Sequence, residues 1–303
     1  MSQIPQGPLA LGQQNQGQGR LPIEDMTDVR SPAYRSGCLR HNGVCFEHPS
    51  NQLPSAVIIQ TGQIFAPRPT PTTGVMATMM YDLDTLSTLG CVESEVVHCF
   101  SQGHLFPTTL PSALYHYTDV NIGRHLLPSK PNAPCAIPQP RPNLIYGYPI
   151  HSAFTKTQRT TLDNLHPEIS SYSQIQPDSK LCFPFFIVEF KAAGGTGGDL
   201  WVAANQCAGG SVACLLALEQ LNLVVREKRT FREIPNFCYS LAIDNHFGQL
   251  YASWKDGDYH IERVAAFSLS EPEHVRRLYY CIHGILEWGV IRQGDIRTAL
   301  NSI

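Results

Sequence analysis

The sequence predicts a mixed α/β fold, with a central mixed β-sheet flanked by helices. Three observations predict it. Leu181 to Lys191 is one nearly continuous aromatic and β-branched run, the pattern of a strand buried on both faces. After a glycine break, Asp199 stands at the N-cap position of a helix running from Leu200 to about Val225. Beyond Asn236 come three alternating runs and then a helix, which together with the first strand and helix make an α/β order.

Residues 1–32 are polar, Gln/Gly-rich and without periodicity, so they are expected to form a disordered arm. From Ala33 the composition becomes globular, and a single domain over 33–303 is expected. Its N-terminal part, 33–126, is read as mostly helical or irregular. Residues 127–142 carry six prolines and must run extended as a connector. The core, 143–303, opens with a short strand at Leu144-Ile145-Tyr146-Gly147-Tyr148, and Phe154 to Leu165 has helical spacing. The small residues Cys207-Ala208-Gly209-Gly210-Ser211 in the long helix predict close packing on a sheet or a local kink. Phe237 to Ile243, Phe247 to Lys255 and Tyr259 to Phe267, separated by Asp244-Asn245 and Asp256-Gly257, read as an antiparallel meander. Ser270-Glu271-Pro272-Glu273 reads as a capping box opening a last helix, with Val275, Leu278, Ile282 and Ile285 on one face.

Composition narrows the function. Net charge is −3, and from Cys182 onward 11 Lys and Arg face 13 Asp and Glu. A protein that grips nucleic acid by neutralising phosphates shows a basic stripe, and none is visible, so DNA is a partner only through a small site. No basic stretch followed by an apolar one opens the chain, and no unbroken apolar run approaches the roughly 20 residues that span a bilayer. The expectation is a soluble intracellular protein, neither secreted nor membrane-bound, its compartment and oligomeric state open. Ten cysteines in that setting read as reduced, largely buried thiols.

Glu189-Phe190-Lys191 is where chemistry is sought. Residues two apart on a strand share a face, roughly 7 Å from each other. A buried strand that ends by projecting a carboxylate and an ammonium together needs a partner for each, since an unpaired desolvated charge costs several kcal/mol. For an isolated Glu-x-Lys the bland explanation, a structural ion pair or a solvent-exposed strand end, is the better one.

The surroundings add to this. The chain resembles the PD-(D/E)xK nuclease superfamily, and more closely the PD-(D/E)xK nuclease-like domain abundant in filamentous fungi. The residues carrying the resemblance are Tyr34-Arg35, Leu39 to Gly43, Pro142-Asn143 with the strand after it, FPFFIVEFKA with its glycines, LWVAANQCAGGSVAC, Gln249 to Trp254 and the Glu271-to-Trp288 helix. The resemblance implies a restriction-endonuclease-like core and Mg²⁺- or Mn²⁺-assisted phosphodiester hydrolysis, most simply of DNA, with no organic cofactor. Carried over residue by residue, Glu189 is a metal ligand, Phe190 offers its carbonyl, Lys191 orients the attacking water and Gln206 faces the site from the helix.

The family's Pro-Asp position is Pro142-Asn143 here, so Asn143 is the implied third metal ligand, an oxygen without a charge. A literal Pro177-Asp178 also exists. It lies 11 residues before Glu189, roughly 36 Å along an extended strand, and is read as distant from the site. The second reading is a non-catalytic descendant that keeps the fold as a binding or interaction module. Asn143 and the acidic balance favour it, while Glu189-Phe190-Lys191 and Asn205-Gln206 favour the enzyme.

Other motifs fare less well. Cys38, His41, Cys45 and His48 are zinc-competent types, but their C-x2-H-x3-C-x2-H spacing matches no common finger. Buried cysteines and surface histidines are the simpler expectation. The glycines after Lys191 fail a dinucleotide fingerprint at Leu200 and precede no P-loop Lys-Ser/Thr. Gly209-Gly210-Ser211-Val212-Ala213 lies inside a helix and lacks the last glycine of a nucleophile elbow.

Overall fold

The computed structural model describes residues 22–48, 52–69, 73–102, 105–164, 181–229 and 232–303. Among them seven strands form one mixed sheet: β1 (Val44–Phe46), β2 (Tyr115–Thr118), β3 (Leu144–Pro149), β4 (Leu181–Phe190), β5 (Phe237–Ile243), β6 (Phe247–Asp256) and β7 (Asp258–Ser268). Their order across the sheet is β1-β7-β6-β5-β4-β3-β2. The rungs β4–β5 and β1–β7 are parallel and the others antiparallel. The expected α/β class is therefore observed.

The helices divide between two faces. The long helix α7 (Leu200–Lys228) is the crossover that parallel β4 and β5 require. It covers one face, packing Ala203, Cys207, Val212 and Cys214 over Ile145, Ile187, Cys238 and Ala242. The other face carries α8 (Pro272–Ser302) together with α2 (Ser55–Ile64), α3 (Thr73–Leu89) and α4 (Glu93–Ser101), packed over Phe185, Phe186, Val188, Phe190 and Tyr239. Every residue of β4 is buried, as its unbroken apolar sequence demands. α7 is also the one described helix long and apolar enough to span a membrane, yet 78% of its apolar window is buried by the fold, as befits a core helix.

The small-residue patch of α7 is explained by contact on two sides. Gly209 lies beneath Pro140 of the proline-rich connector and Gly210 faces Ile187 of β4, so a methyl at either would press on a neighbour. The connector carries no helix or strand, and it buries Cys135 and Ile137 against α7.

The N-terminal part is mostly helical or irregular, as expected, and also supplies β1 and β2, the two edge strands of the sheet. Two expectations need correction. The Ser270–Glu273 capping box does not form. Glu271 holds the N-cap position without a side-chain bond, and Pro272, whose missing N–H is one of the orphans anyway, opens the helix. A reciprocal box forms instead at α6 (Lys156–Asn164), where Gln158 Oε1 accepts the Thr155 N–H and Thr155 Oγ1 accepts that of Gln158.

The second correction is the arm's boundary. Residues 22–32 are part of the fold: α1 (Ile23–Thr27) buries Met26 against the π-helical turn Arg35–Leu39, and Asn205 of α7 donates to the Val29 carbonyl at 2.7 Å. Residues 1–21 lie outside the described part. Met26→Ala is accordingly expected to lower stability by about 2 kcal/mol, read by urea unfolding. An unchanged midpoint would show that this turn does not pack.

Candidate functional site at the end of the central strand

The sheet register brings three polar residues abreast on neighbouring strands. Thr118 of β2 pairs with Leu144 of β3, and Leu144 with Val188 of β4. One residue further on lie Asp119, Asn143 and Glu189. The ladder ends in hydrogen bonds through Asn143. Its carbonyl accepts the Asp119 N–H at 3.3 Å, and its Oδ1 accepts the Phe190 N–H at 2.8 Å. Asp119 itself has φ +51°, a conformation Asp tolerates better than most residues, and there the chain turns out of the strand.

The Asn143 side-chain nitrogen reaches two carboxylates, Glu93 Oε1 at 3.3 Å and Asp119 Oδ1 at 3.5 Å. This fixes which way the amide faces, because the opposite rotamer would set an oxygen against two carboxylates and a nitrogen against an N–H donor. Glu93 is the first residue of α4, whose start is tied by Glu95 Oε2 accepting the Val92 N–H. Lys191 completes the group. Its Nζ donates to Glu93 Oε2 at 2.8 Å and to the Phe190 carbonyl at 3.0 Å.

Burial sets the electrostatics. Glu189 is 1% exposed and Lys191 4%. Burial pushes the Glu189 carboxyl up to about 8; Lys191 and the Asn143 hydrogen bond oppose this, and Glu93 and Asp119 add to it. Below α7 the Cys207 thiol is pressed against Glu189 and is raised by burial and by that carboxylate. Gly197 of the glycine turn passes close to Glu93 Oε2, where a side chain would crowd the carboxylate. Gly194 and Gly198 adopt positive φ, so the run makes a turn that few other residues could. Asp199 accepts the N–H groups of Trp201 and Val202, as its N-cap position predicts.

The sequence-predicted residues thus meet in part. Asn143, Phe190 and Lys191 are joined by hydrogen bonds, and Glu189 stands beside them in the same row of the sheet. The Asn143 amide oxygen, the expected metal ligand, accepts the Phe190 N–H, and its side-chain nitrogen bridges to the Glu93 and Asp119 carboxylates. Gln206 is on the helix that covers Glu189, but its Oε1 is buried without a partner and no described bond ties it to Glu189 or Lys191. Asn205 faces elsewhere, bonding Arg35 and Val29. Pro177 and Asp178 lie outside the described residues.

Sequence reasoning missed Glu93 and Asp119. Neither belongs to a motif. Glu93 is one of three acidic or hydroxyl residues opening a helix, and Asp119 follows the short run Tyr115-His116-Tyr117-Thr118. Only the pairing of β2 with β3 and the packing of α4 on β4 bring them to Glu189.

The donor chemistry suits a hard divalent cation. Three carboxylates and a backbone carbonyl are oxygen ligands of the kind Mg²⁺ and Mn²⁺ take. Among the described residues no three His, Cys, Asp or Glu side chains stand in ligating geometry as they are. The Lys191 ammonium bonds one Glu93 oxygen and the Phe190 carbonyl. The Cys38–His48 group is not a metal cluster either. Cys38 is fully buried with its thiol on the Ala136 carbonyl, and the His41 ring bonds the Gly37 carbonyl. Eight of the ten cysteines are buried and all are unpaired thiols, the arrangement their sequence context predicts. A 490 Å³ groove lined by Glu219, Arg226, Phe237 and Trp254 opens at the far end of the sheet, since Phe237 begins β5 whereas Ala242, opposite Glu189, nearly ends it.

Comparison with known proteins gives one match. A family model described as a domain of unknown function, DUF7924, matches residues 92–300, which takes in Glu93, Asp119, Asn143, Glu189, Lys191 and Gln206. No curated protein and no solved structure matches the chain.

Proposed function

For this chain, which belongs to the DUF7924 family, we propose a metal-dependent nuclease-like function carried out at the end of β4. The observation that carries the reading is the convergence of Glu93, Asp119 and Glu189 with Lys191 and the Phe190 carbonyl where the buried central strand ends. A helix, three antiparallel strands, a crossover helix and a parallel strand, in the order α4, β2, β3, β4, α7, β5 with the short helices α5 (Ile150–Ala153) and α6 between β3 and β4, support a restriction-endonuclease-like core. The position of Glu189-Phe190-Lys191 at the end of its central strand supports the PD-(D/E)xK resemblance.

In this reading Glu93, Asp119 and Glu189 hold a Mg²⁺ or Mn²⁺ ion, with the Phe190 carbonyl as a neutral donor. Asp119 stands one strand over from Asn143 and restores the charge that the asparagine lacks. When bound, the metal neutralises charge on a scissile phosphate and acidifies water. Asn143 keeps the two strands in register and presents its amide N–H groups to Glu93 and Asp119, so that both carboxylates turn toward Glu189. Lys191 shares a face with Glu189 and, released from Glu93, orients a water molecule. Glu189 gives up a proton when it takes a ligand's role, because at neutral pH its raised pKa leaves it largely protonated.

A second reading has its own support. Lys191 already satisfies Glu93 and the Phe190 carbonyl, and the chain's net charge of −3 offers phosphate little attraction. On those grounds the domain is a pseudo-nuclease that retains the fold as an interaction module. Plasmid nicking separates the two. Wild type incubated with supercoiled DNA and Mg²⁺ or Mn²⁺ is expected to produce nicked circles, at a rate that falls at least a hundredfold in Glu189→Ala, in line with the loss of a metal-ligand or charge-stabilising group. Equal nicking by wild type and variant, or none by either, overturns the enzymatic reading, and the latter result favours the module.

A further inference from the structure

We propose that Lys191 is the site's internal counter-cation, and that a divalent metal must displace its ammonium from Glu93 and the Phe190 carbonyl in order to bind. This rests on the metal-site reading above and deepens it. Lys191 Nζ lies 2.8 Å from Glu93 Oε2 and 3.0 Å from the Phe190 oxygen, both of them oxygens that the reading gives to the metal. Lys191 is 4% exposed, so these two oxygens take the place of its ammonium's hydration. Without it, three carboxylates would face one another around Asn143 with only amide N–H groups between them.

A dication and an ammonium cannot share these oxygens at close range. Two cations only a few ångströms apart in a buried site repel strongly, and the lysine stem is the flexible partner. The ion pair has an open side: the Glu93 side chain is 35% exposed while that of Lys191 is 5%. The backbone at Gly197 runs past Glu93 Oε2 with no side chain to block the approach. The exchange therefore takes place at Glu93, and the displaced ammonium swings toward the mouth of the sheet. The same residue that keeps the metal-free site folded becomes available to water or phosphate only when the metal arrives. A purely supportive lysine, by contrast, would help the metal to bind.

The full-length chain is titrated with MnCl2, and bound ion is read as loss of the free Mn²⁺ electron paramagnetic resonance signal, with no activity assay involved. Lys191→Met keeps the stem and removes the charge; Lys191→Gln also keeps an N–H donor for Glu93 and guards against loss of folding. Both are expected to bind Mn²⁺ about tenfold more tightly than wild type, and to melt lower than wild type in EDTA but not in saturating Mn²⁺. Equal or weaker binding by both variants, with wild type still binding, overturns the displacement role and leaves the metal-site reading standing. Absence of Mn²⁺ binding by all three proteins overturns both.

Discussion

Asn143→Asp is expected to melt at a lower temperature than wild type in EDTA and to bind Mn²⁺ at least tenfold more tightly. Both effects come from the same geometry. The Asn143 amide N–H groups face Glu93 and Asp119, and its oxygen accepts from the Phe190 N–H. Aspartate is nearly isosteric and can still accept that N–H, so the strand register survives. It loses both donor contacts and sets a further carboxylate against two others, which costs on the order of 1–3 kcal/mol in the metal-free protein. A divalent cation reverses the sign, because each added charged oxygen strengthens its binding; tenfold corresponds to about 1.4 kcal/mol. A variant as stable as wild type in EDTA would mean that Asn143 does not bridge the two carboxylates. Unchanged Mn²⁺ affinity would mean that the cation does not bind here.

Glu189→Gln is expected to be more stable than wild type at pH 8–9 in EDTA, and close to it at pH 4–5. The Glu189 carboxyl is pushed up to about 8 by burial, against an ordinary value of 4.5. Between those values the folded protein holds a proton that the unfolded chain releases. Its contribution to stability is therefore fully present below pH 4.5 and is lost as the pH rises toward 8. At 1.36 kcal/mol per unit, the loss is at most about 5 kcal/mol, reduced by whatever relaxation lets Lys191 or water reach the charge. Glutamine carries no such slope. Urea unfolding across this range tests the point: parallel stability profiles for the two proteins would show that Glu189 is not held protonated by the fold. Saturating Mn²⁺ should abolish the variant's advantage at high pH, since the metal needs the ionised carboxylate.

What the sequence disclosed follows from which interactions are local. Strand β4 was legible because burial on both faces leaves an unbroken apolar run, and α7 because Asp199 and the glycines mark its start. The β5–β7 meander was legible from its turn residues. Edge strands β1 and β2 were not, because strands of three and four residues carry too little periodicity. The Ser270–Glu273 pattern misled because a capping box is defined by side-chain geometry, and a proline at the first helical position made the cap dispensable. At the site, Glu189, Lys191 and Asn143 could be selected from strand sequence and resemblance. Glu93 and Asp119 are 50 and 24 residues from Asn143 along the chain, and only tertiary packing brings them there. That packing also changes the meaning of Asn143, which in isolation looks like a lost acid and in place is a hydrogen-bonded bridge between two acids.

The most direct measurement is a calorimetric titration of Mg²⁺ and Mn²⁺ into wild type and Asp119→Asn at low ionic strength. Asp119 belongs to no recognised motif in this sequence, and its assignment to the site comes from the sheet register and its contact with the Asn143 amide. Wild type is expected to show one cation site per chain. In Asp119→Asn affinity is expected to weaken at least tenfold, by loss of one charged oxygen ligand, with the same unfolding free energy in EDTA to within about 1 kcal/mol. Wild type that takes up no divalent cation, or an Asp119→Asn variant that binds it with unchanged affinity, would contradict the claim that Glu93, Asp119 and Glu189 form a metal site.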